Sequence, residues 1–180
     1  MSTNSTNNCI EKPNLLLIAG NGRNVGKTFF ACKIIKKLAK DQAVVGVKIS
    51  PHFHTNEGKT IVQCNEFIII EETQKTQKDS SLMLQAGAEK VFFVMAEQKN
   101  LKAAFRELIT LLPEKAIVCE SGGLHEFINP GIFLFVKNEN EKIIKPHLLN
   151  FSPIVVENNG SSFNFNIEKI KYSNHRFTIE

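Results

Sequence analysis

The chain has 180 residues, of which 42% are hydrophobic and 22% charged, with fourteen Phe, one Tyr and no Trp. This length and apolar content suffice for one folded domain and exclude a chain that is disordered throughout. The 22 basic and 18 acidic residues leave a net charge of +4, too small and too evenly spread to predict a nucleic-acid partner. No apolar run approaches the roughly 18–20 residues that cross a bilayer, so we expect no membrane partner.

The N-terminal residues and the cysteines predict where the protein resides. Residues 1–13 are mostly polar and contain no apolar signal segment, so we expect a flexible N-terminal segment there. The four cysteines are widely spaced and form no Cys-x-x-Cys pattern, which predicts neither a zinc site nor a disulfide framework. We therefore expect a reduced, cytoplasmic protein.

From residue 14 onward, short apolar runs alternate with amphipathic stretches, as is typical of strand–helix units around a mainly parallel sheet. Residues 15–19 predict a strand buried on both faces, and apolar residues four apart between 30 and 38 predict the helix that follows. Residues 43–49 predict the second strand. Residues 50–65 contain proline and glycine and indicate an irregular loop or a short hairpin.

The second half of the predicted domain continues the alternation of strands and helices. Its elements are a strand at 67–70, a polar linker at 71–78, a short helix that begins at Asp79 or Ser80 and ends at Gly87, a strand at 91–96, a helix from Leu101 to Leu112, and strands at 116–119 and 132–136.

Beyond these strands the pattern changes to Asn-rich turns and short alternating segments. Residues 154–157 and 163–167 flank an Asn-Gly pair at 159–160, which predicts a β-hairpin. We therefore predict an α/β protein in which residues 14–180 form a single domain with three layers and a mainly parallel sheet. A small β-rich extension at about 138–180 completes it.

The strongest functional signal is the sequence Ala-Gly-Asn-Gly-Arg-Asn-Val-Gly-Lys-Thr at residues 19–28, between the first predicted strand and helix. A phosphate chain is held by backbone N–H groups at a helix N-terminus, by a Lys, and by a hydroxyl that binds Mg²⁺. Gly26, Lys27 and Thr28 supply these groups. The pattern is a variant of the Walker A motif, because Asn21 stands where that motif has its first Gly. The alternative is a Gly-rich turn that only joins strand to helix.

A second signal is Val-Cys-Glu-Ser-Gly-Gly at residues 118–123, an apolar strand that ends in a carboxylate and two glycines. In phosphate-loop folds the acid at such a strand end orients Mg²⁺ or its water shell, and the glycines let the backbone approach the phosphates. We assign the Mg²⁺ role to Glu120. The alternative is a helix-capping or surface carboxylate.

Five further side chains are candidates, and each has a plain alternative as a solvated surface group. Lys48 ends the strand after the glycine-rich loop and can neutralise phosphate charge, while Asp79 can add an Mg²⁺ contact. Arg23 lies inside the loop, within reach of a phosphate oxygen. His52 and His54 are two apart and can form half of a metal site, but no third ligand is evident, so exposed loop histidines are favoured.

Two further functions, hydrolysis and reading of the base, have little support in the sequence. No Gln or Arg is placed to orient water or to act as an arginine finger, so hydrolysis should be slow or absent. Lys137-Asn138 is a weak candidate for reading the base, with a surface turn as the favoured alternative.

The predicted site has three sets of residues. Predicted catalytic residues are Lys27 and Lys48, predicted Mg²⁺ ligands are Thr28, Glu120 and Asp79, and predicted nucleotide-binding residues are Gly22, Arg23, Asn24, Val25, Gly26, Lys27, Thr28, Phe29, Gly122 and Gly123.

These motifs resemble those of the SIMIBI class of P-loop NTPases, which includes dethiobiotin synthetase and the molybdopterin-guanine dinucleotide biosynthesis protein B (MobB) family. The dethiobiotin synthetase loop has a Gly six residues before its Val-Gly-Lys-Thr glycine, similar to Gly20 and Gly26. Its later Glu followed by glycines is similar to Glu120, and its Lys after the second strand is similar to Lys48. The MobB pattern of Lys-Asp-Ser, a short helix, Ala-Gly-Ala and an apolar strand is similar to residues 78–94.

The chain also departs from the MobB pattern at three positions. Where that family has a His after the strand Lys, a Gly after the Mg²⁺-strand Glu and two hydroxyl residues after the loop Lys, this chain has Ile49, Ser121 and only Thr28. The resemblance covers about residues 14–136 and leaves the C-terminal extension without a counterpart.

The two resemblances imply different functions. The MobB resemblance implies a Mg²⁺-dependent protein that favours GTP, forms a homodimer and assists an enzyme partner in making the molybdopterin guanine dinucleotide cofactor. The dethiobiotin synthetase resemblance implies an ATP-dependent ligase in which Lys27 and Lys48 stabilise a transferring phosphoryl group. A third hypothesis is a binding module whose nucleotide only switches its contacts with partners.

Overall fold

The computed structural model describes residues 9–55 and 57–180 of the chain. Within them, the chain forms ten strands and three α-helices. The strands are β1 (Ile10–Gly20), β2 (Val44–Ser50), β3 (Lys59–Gln63), β4 (Phe67–Glu71), β5 (Lys90–Ala96), β6 (Ala116–Glu120), β7 (Ile128–Asn138), β8 (Ile154–Asn158), β9 (Ile170–Ser173) and β10 (Arg176–Ile179), and the helices are α1 (Lys27–Leu38), α2 (Asp79–Gln85) and α3 (Leu101–Leu111).

Eight of the strands form one sheet in the order β3-β4-β5-β2-β6-β1-β7-β8. The six strands from β5 to β8 in that order run parallel, while β4 is antiparallel to β5 and β3 is antiparallel to β4. The α/β class with a mainly parallel sheet is therefore confirmed. Because parallel strands end at the same edge of a sheet, the carboxyl ends of β1, β2 and β6 lie side by side.

Apolar cores cover both faces of the sheet, because successive strand side chains point to opposite sides. In β1, Leu15 and Leu17 pack into a core that includes Phe105 of α3. Leu16 packs into a second core that includes Phe30 of α1 and residues of α2. Full burial of each large side chain stabilises the fold by about 1.5–3 kcal/mol, which explains why β1 is apolar at every position from 15 to 19.

Strand β1 is longer than the apolar run predicts. It begins at Ile10, and residues 10–12 pair in parallel with Ile128–Pro130 of β7. The predicted flexible segment 1–13 is therefore wrong for residues 10–13, which belong to β1. The charges and the proline of this stretch gave no apolar strand pattern from which its pairing with β7 could be predicted. Residues 1–8 of the predicted segment lie outside the described part of the chain.

The small C-terminal hairpin is confirmed, but its predicted position was wrong. Strand β8 joins the main sheet beside β7, and only one antiparallel bridge links Asn158 to Phe163. The hairpin consists of β9 and β10, joined by Asn174 and His175 with φ angles of 49° and 55°. Two successive residues with positive φ match the twist of a two-residue hairpin turn.

None of the helices in the described residues is long and apolar enough to cross a membrane.

The segment 50–65, predicted as an irregular loop or a short hairpin, contains β3, which pairs with β4 across a short turn.

Candidate functional site

A cleft of about 890 Å³ opens at the carboxyl edge of the sheet, above the ends of β2 and β6 and the start of α2. We call residues 20–26 the glycine loop and this opening the glycine-loop cleft. Most of the predicted site residues line it. They are Gly22, Arg23, Asn24, Gly26, Lys27, Thr28, Phe29, Lys48, Asp79, Glu120 and Gly122.

Two predicted nucleotide-binding residues are not in the cleft wall. Val25 is buried against α1 in the second core. Gly123 is also buried, and a side chain there would collide with Gln98 and Leu101. The structure therefore gives Gly123 a packing reason to be glycine, whereas at Gly122 a side chain would meet open space.

The glycine loop has a backbone shape that requires glycine at its junction with α1. Gly26 has a φ of 92°, and a Cβ at this position would lie 2.6 Å from the Asn158 side-chain nitrogen. Asn158 Nδ2 in turn donates a hydrogen bond to the carbonyl oxygen of Val25, at 3.1 Å. The end of β8 thus supports the loop from outside, and only glycine fits between them.

Lys27 begins α1 and folds back across the loop. Its Nζ donates a hydrogen bond to the carbonyl oxygen of Gly22 at 2.6 Å. Burial lowers the pKa of Lys27, and the neighbouring positive charges of Lys48 and Lys145 add to this effect, while Glu120 opposes it. The ammonium group is therefore held over the loop without a direct carboxylate partner among the described residues.

Glu120 is the centre of a polar network at the floor of the cleft. Thr28 Oγ1 donates a hydrogen bond to its Oε2 at 2.8 Å, and Lys48 Nζ lies 2.6 Å from its Oε1. Lys48 Nζ also lies 2.7 Å from Asp79 Oδ2. The parallel register sets Lys48 directly beside Glu120 on neighbouring strands, which explains why residues 72 apart meet here.

This network keeps both buried charges paired. The Glu120 side chain is only 3% exposed and that of Lys48 is 15% exposed. Burial alone would lower the pKa of Lys48, but the negative charges and hydrogen bonds of Glu120 and Asp79 raise it. Lys48 therefore stays charged at neutral pH.

The predicted Mg²⁺ ligands fall into two groups. The Thr28 hydroxyl and the Glu120 carboxylate touch each other, which is the donor pair that Mg²⁺ needs beside phosphate oxygens and water. Asp79 is separated from this pair by the ammonium group of Lys48. In the described ranges no three His, Cys, Asp or Glu residues cluster as a metal site.

The two histidines of the loop after β2 have different partners. His52 Nε2 lies 2.9 Å from a guanidinium nitrogen of Arg23, and this contact joins the loop to the glycine loop. The His54 ring packs against Phe93 at 5.2 Å between centroids. They line the cleft but do not act as a pair, in agreement with the favoured interpretation of ordinary loop histidines.

Lys137 and Asn138, the thin candidates for reading the base, are both engaged in the turn that follows β7. Lys137 Nζ lies 2.8 Å from Glu157 Oε1 and donates to the carbonyl oxygen of Glu139 at 2.9 Å. Asn138 Nδ2 donates to a carboxylate oxygen of Glu141 at 2.7 Å. Both side chains therefore have partners within or beside this turn, although Lys137 is buried and not a surface residue.

Two residues beside the phosphate-binding motifs, Asn21 and Lys145, had no role in the sequence-based prediction. Asn21, 1% exposed, donates from Nδ2 to the carbonyl oxygen of Lys142 and accepts at Oδ1 from the backbone N–H of Ile144, both at 2.8 Å. Lys145, which follows this segment directly, lines the cleft. The departure of Asn21 from the Walker A pattern was the available signal for this contact, but a local motif does not reveal a partner more than 120 residues away.

The arrangement can hold an anion chemically, because its basic side chains outnumber its two carboxylates and both carboxylates contact Lys48. Such an anion would lie beside a hydroxyl–carboxylate pair that can hold Mg²⁺. Comparisons of the chain with protein-family models, with the curated proteins and with the solved structures find no match.

Proposed function

We propose that the protein binds a nucleoside triphosphate together with Mg²⁺, and that the glycine loop acts as the phosphate loop of a P-loop NTPase fold. The observation that carries the proposal is the hydrogen bond between Thr28 and Glu120. These residues come from two sequence signals that were recognised separately, and they meet 2.8 Å apart at the floor of one cleft. A turn that only joined β1 to α1 would not require this contact.

The charges of the cleft support the same proposal. The carboxylates of Glu120 and Asp79 both pair with Lys48, so the charge of Lys27 has no direct carboxylate partner among the described residues. A phosphate group beside Lys27 would supply the missing negative charge and raise the pKa of Lys27, which burial lowers. Glu120 and Thr28 would then hold Mg²⁺ next to the same phosphates.

Hydrolysis by such a site is expected to be slow or absent. Among the described cleft residues there is no Gln, and the one Arg, Arg23, is engaged with His52. A water-orienting group and a free arginine finger are the parts that accelerate phosphoryl transfer to water. The proposed activity is therefore nucleotide binding with weak turnover.

The finer proposal, that the nucleotide is GTP and that the protein assists molybdenum cofactor biosynthesis as a MobB-like homodimer, is supported by the sequence resemblance alone. Lys48 favours a second candidate, an ATP-dependent ligase of the dethiobiotin synthetase type, because its ammonium group enters the cleft near Lys27. Tight binding of ATP with no binding of GTP would contradict the MobB-like proposal and favour the ligase.

The test is calorimetric titration of the protein with GTP and ATP in the presence of Mg²⁺. Lys27→Ala should weaken the preferred nucleotide by about 100-fold, because a hydrogen bond to a charged group contributes about 1.5–3 kcal/mol. The control is Lys36→Ala, which removes an exposed charge from the same helix and should leave affinity unchanged. If neither nucleotide binds the wild type, or if Lys27→Ala binds equally well, the proposed function is wrong.

A further inference from the structure

Lys145 is the cleft cation that no sequence motif predicts. It lies in the segment between β7 and the short helical turn Pro146–Phe151, and it lines both the glycine-loop cleft and a smaller cavity of about 200 Å³ beside Gly122 and Gly123. It therefore stands between the glycine loop and the segment that follows Glu120. In the proposed triphosphate site, that segment follows the carboxylate that would hold Mg²⁺ beside the phosphates.

The charge of Lys145 is placed unfavourably for the protein alone. No ion pair joins it to a carboxylate within the described residues, whereas Lys48 pairs with both Glu120 and Asp79. Its charge also acts on Lys27, whose pKa is lowered first by burial and further by Lys48 and Lys145. Like charges that converge in a partly buried cleft repel each other unless an anion lies between them.

Asn21 holds the segment that carries Lys145. Its side chain makes two hydrogen bonds to the backbone of Lys142 and Ile144, and its own N–H donates to the carbonyl oxygen of Val136 at 2.9 Å. A glycine at this position, as in the Walker A pattern, has no side chain to make the first two bonds. The substitution of that glycine by Asn therefore couples the glycine loop to the chain that follows β7.

We propose that Lys145 binds the terminal phosphate of the nucleotide and that Asn21 is the positioning residue that holds it there. This inference rests on the proposed function, since it assigns Lys145 a contact with one phosphate of the nucleotide that we propose for the same cleft. The Lys145 ammonium group donates hydrogen bonds to the phosphate oxygens from the segment that follows β7. The nucleotide diphosphate lacks the group that Lys145 contacts, so Lys145 sets the preference for triphosphate over diphosphate.

The experiment compares the affinities of GTP, GDP, ATP, ADP and inorganic tripolyphosphate, each with Mg²⁺, for the wild type and Lys145→Gln. We expect Lys145→Gln to bind the triphosphate about tenfold more weakly and the diphosphate within about twofold of the wild type. Lys145→Arg should recover most of the lost affinity, because it restores the charge. Lys102→Gln, an exposed Lys on α3, is the matched control and should bind as the wild type does.

The positioning role of Asn21 is tested by a double-mutant cycle. On its own, Asn21→Gly should lower the ratio of triphosphate to diphosphate affinity by a few-fold. Added to Lys145→Gln, it should leave this ratio unchanged. Additive effects on preference would show that Asn21 does not act through Lys145. Thermal melting of each variant separates this coupling from a general loss of folding.

The outcomes distinguish this inference from the proposed function. Equal triphosphate affinity in Lys145→Gln and wild type, or an equal loss for triphosphate and diphosphate, overturns the Lys145 assignment while nucleotide binding stands. If the wild type binds tripolyphosphate but no nucleotide, the proposed function is wrong and Lys145→Gln still tests the phosphate contact. If the wild type binds neither, both proposals are overturned.

Discussion

The glycine-loop cleft and a second cavity beside β7 differ in whether their buried polar groups have hydrogen-bond partners. The second cavity, of about 510 Å³, is lined by Phe133, Phe151 and His125 among others, and we call it the aromatic pocket. His125 is 3% exposed, and neither of its ring nitrogens has a hydrogen-bond partner among the described residues. In the cleft, by contrast, the buried Glu120 has two partners from two distant elements.

This difference separates a polar side chain whose burial is explained by packing, His125, from charged side chains whose burial packing does not explain. The His125 ring stacks on Phe133 at 5.8 Å and meets the edge of Phe151 at 4.6 Å, so aromatic contact accounts for its position. No such apolar contact accounts for a Lys and two carboxylates gathered at the edge of a sheet. Charges are expensive to bury, so a network that keeps the buried Glu120 paired at the edge of an open cleft supports the proposed binding site.

The largest expected effect comes from removing the cation of the cleft network. Lys48→Met keeps the length of the side chain but leaves the buried Glu120 without its ion pair, so we expect the free energy of unfolding to fall by about 3 kcal/mol. Because the folded-state pKa of Lys48 is raised, its contribution is fully present below the ordinary Lys range. It is lost only as the pH rises through the folded-state pKa. Urea denaturation at neutral pH measures the effect.

The control for Lys48 is an exposed ion pair. Lys115 lies 2.7 Å from Glu89, with both side chains more than 40% exposed, so Lys115→Met should change the free energy of unfolding by less than about 0.5 kcal/mol. If Lys48→Met destabilises the protein no more than Lys115→Met, the buried network contributes no more stability than a surface ion pair. The difference that we draw between the cleft and the aromatic pocket would then be wrong.

The next effect concerns Mg²⁺. Glu120→Gln keeps the size of the side chain and removes its charge, so the gain in nucleotide affinity that Mg²⁺ produces should fall roughly tenfold, about 1.4 kcal/mol. Titration of the nucleotide with and without Mg²⁺ measures this gain. Asp79→Asn should have a smaller effect, because Lys48 separates Asp79 from Thr28 and Glu120.

Glu126→Gln is the control for this prediction, since Glu126 is exposed and contacts Gln98. It should leave the gain from Mg²⁺ unchanged. A loss in Asp79→Asn that exceeds the loss in Glu120→Gln would move the metal to Asp79, and no loss in either variant would remove both from the proposed Mg²⁺ site.

The sequence predicted the interior of the fold well because burial on both faces leaves a local signal. Strands such as β1 and β6 are apolar at successive positions, and α3 repeats its apolar residues at helical spacing. The hairpin was misplaced because the Asn159-Gly160 turn chemistry says nothing about which strand is available for pairing. The free edge of β7 takes up β8, so the hairpin forms later in the chain.

The site was predictable where it is made of local motifs and unpredictable where it is made of tertiary contacts. Lys27, Thr28 and Glu120 belong to short patterns whose chemistry can be read directly. Asn21 makes hydrogen bonds to Lys142 and Ile144 in the segment that carries Lys145, and only the folded chain brings this segment to the glycine loop. The same holds for Asp79, whose ion pair with Lys48 no spacing could reveal.

The smallest expected effect tests the other half of the comparison, in the aromatic pocket. His125→Phe replaces a buried ring without hydrogen-bond partners by an apolar ring of similar size, so the free energy of unfolding should rise by about 1 kcal/mol at pH 7.5. Burial lowers the pKa of His125, with further lowering by His147 and Lys145, while Glu126 opposes it.

The lowered pKa gives this prediction its pH dependence. Above the ordinary His pKa of about 6.5, His125 is neutral in both the folded and the unfolded chain. As the pH falls through that value toward the lower folded-state pKa, the unfolded chain binds more protons, so the wild type loses stability that His125→Phe keeps. The stability difference between the two proteins should therefore widen from pH 7.5 to pH 5.5 in urea denaturation. A difference that stays constant with pH would contradict this prediction and would mean that water in the pocket hydrates His125, as the hydrogen-bond partners of Glu120 do in the cleft.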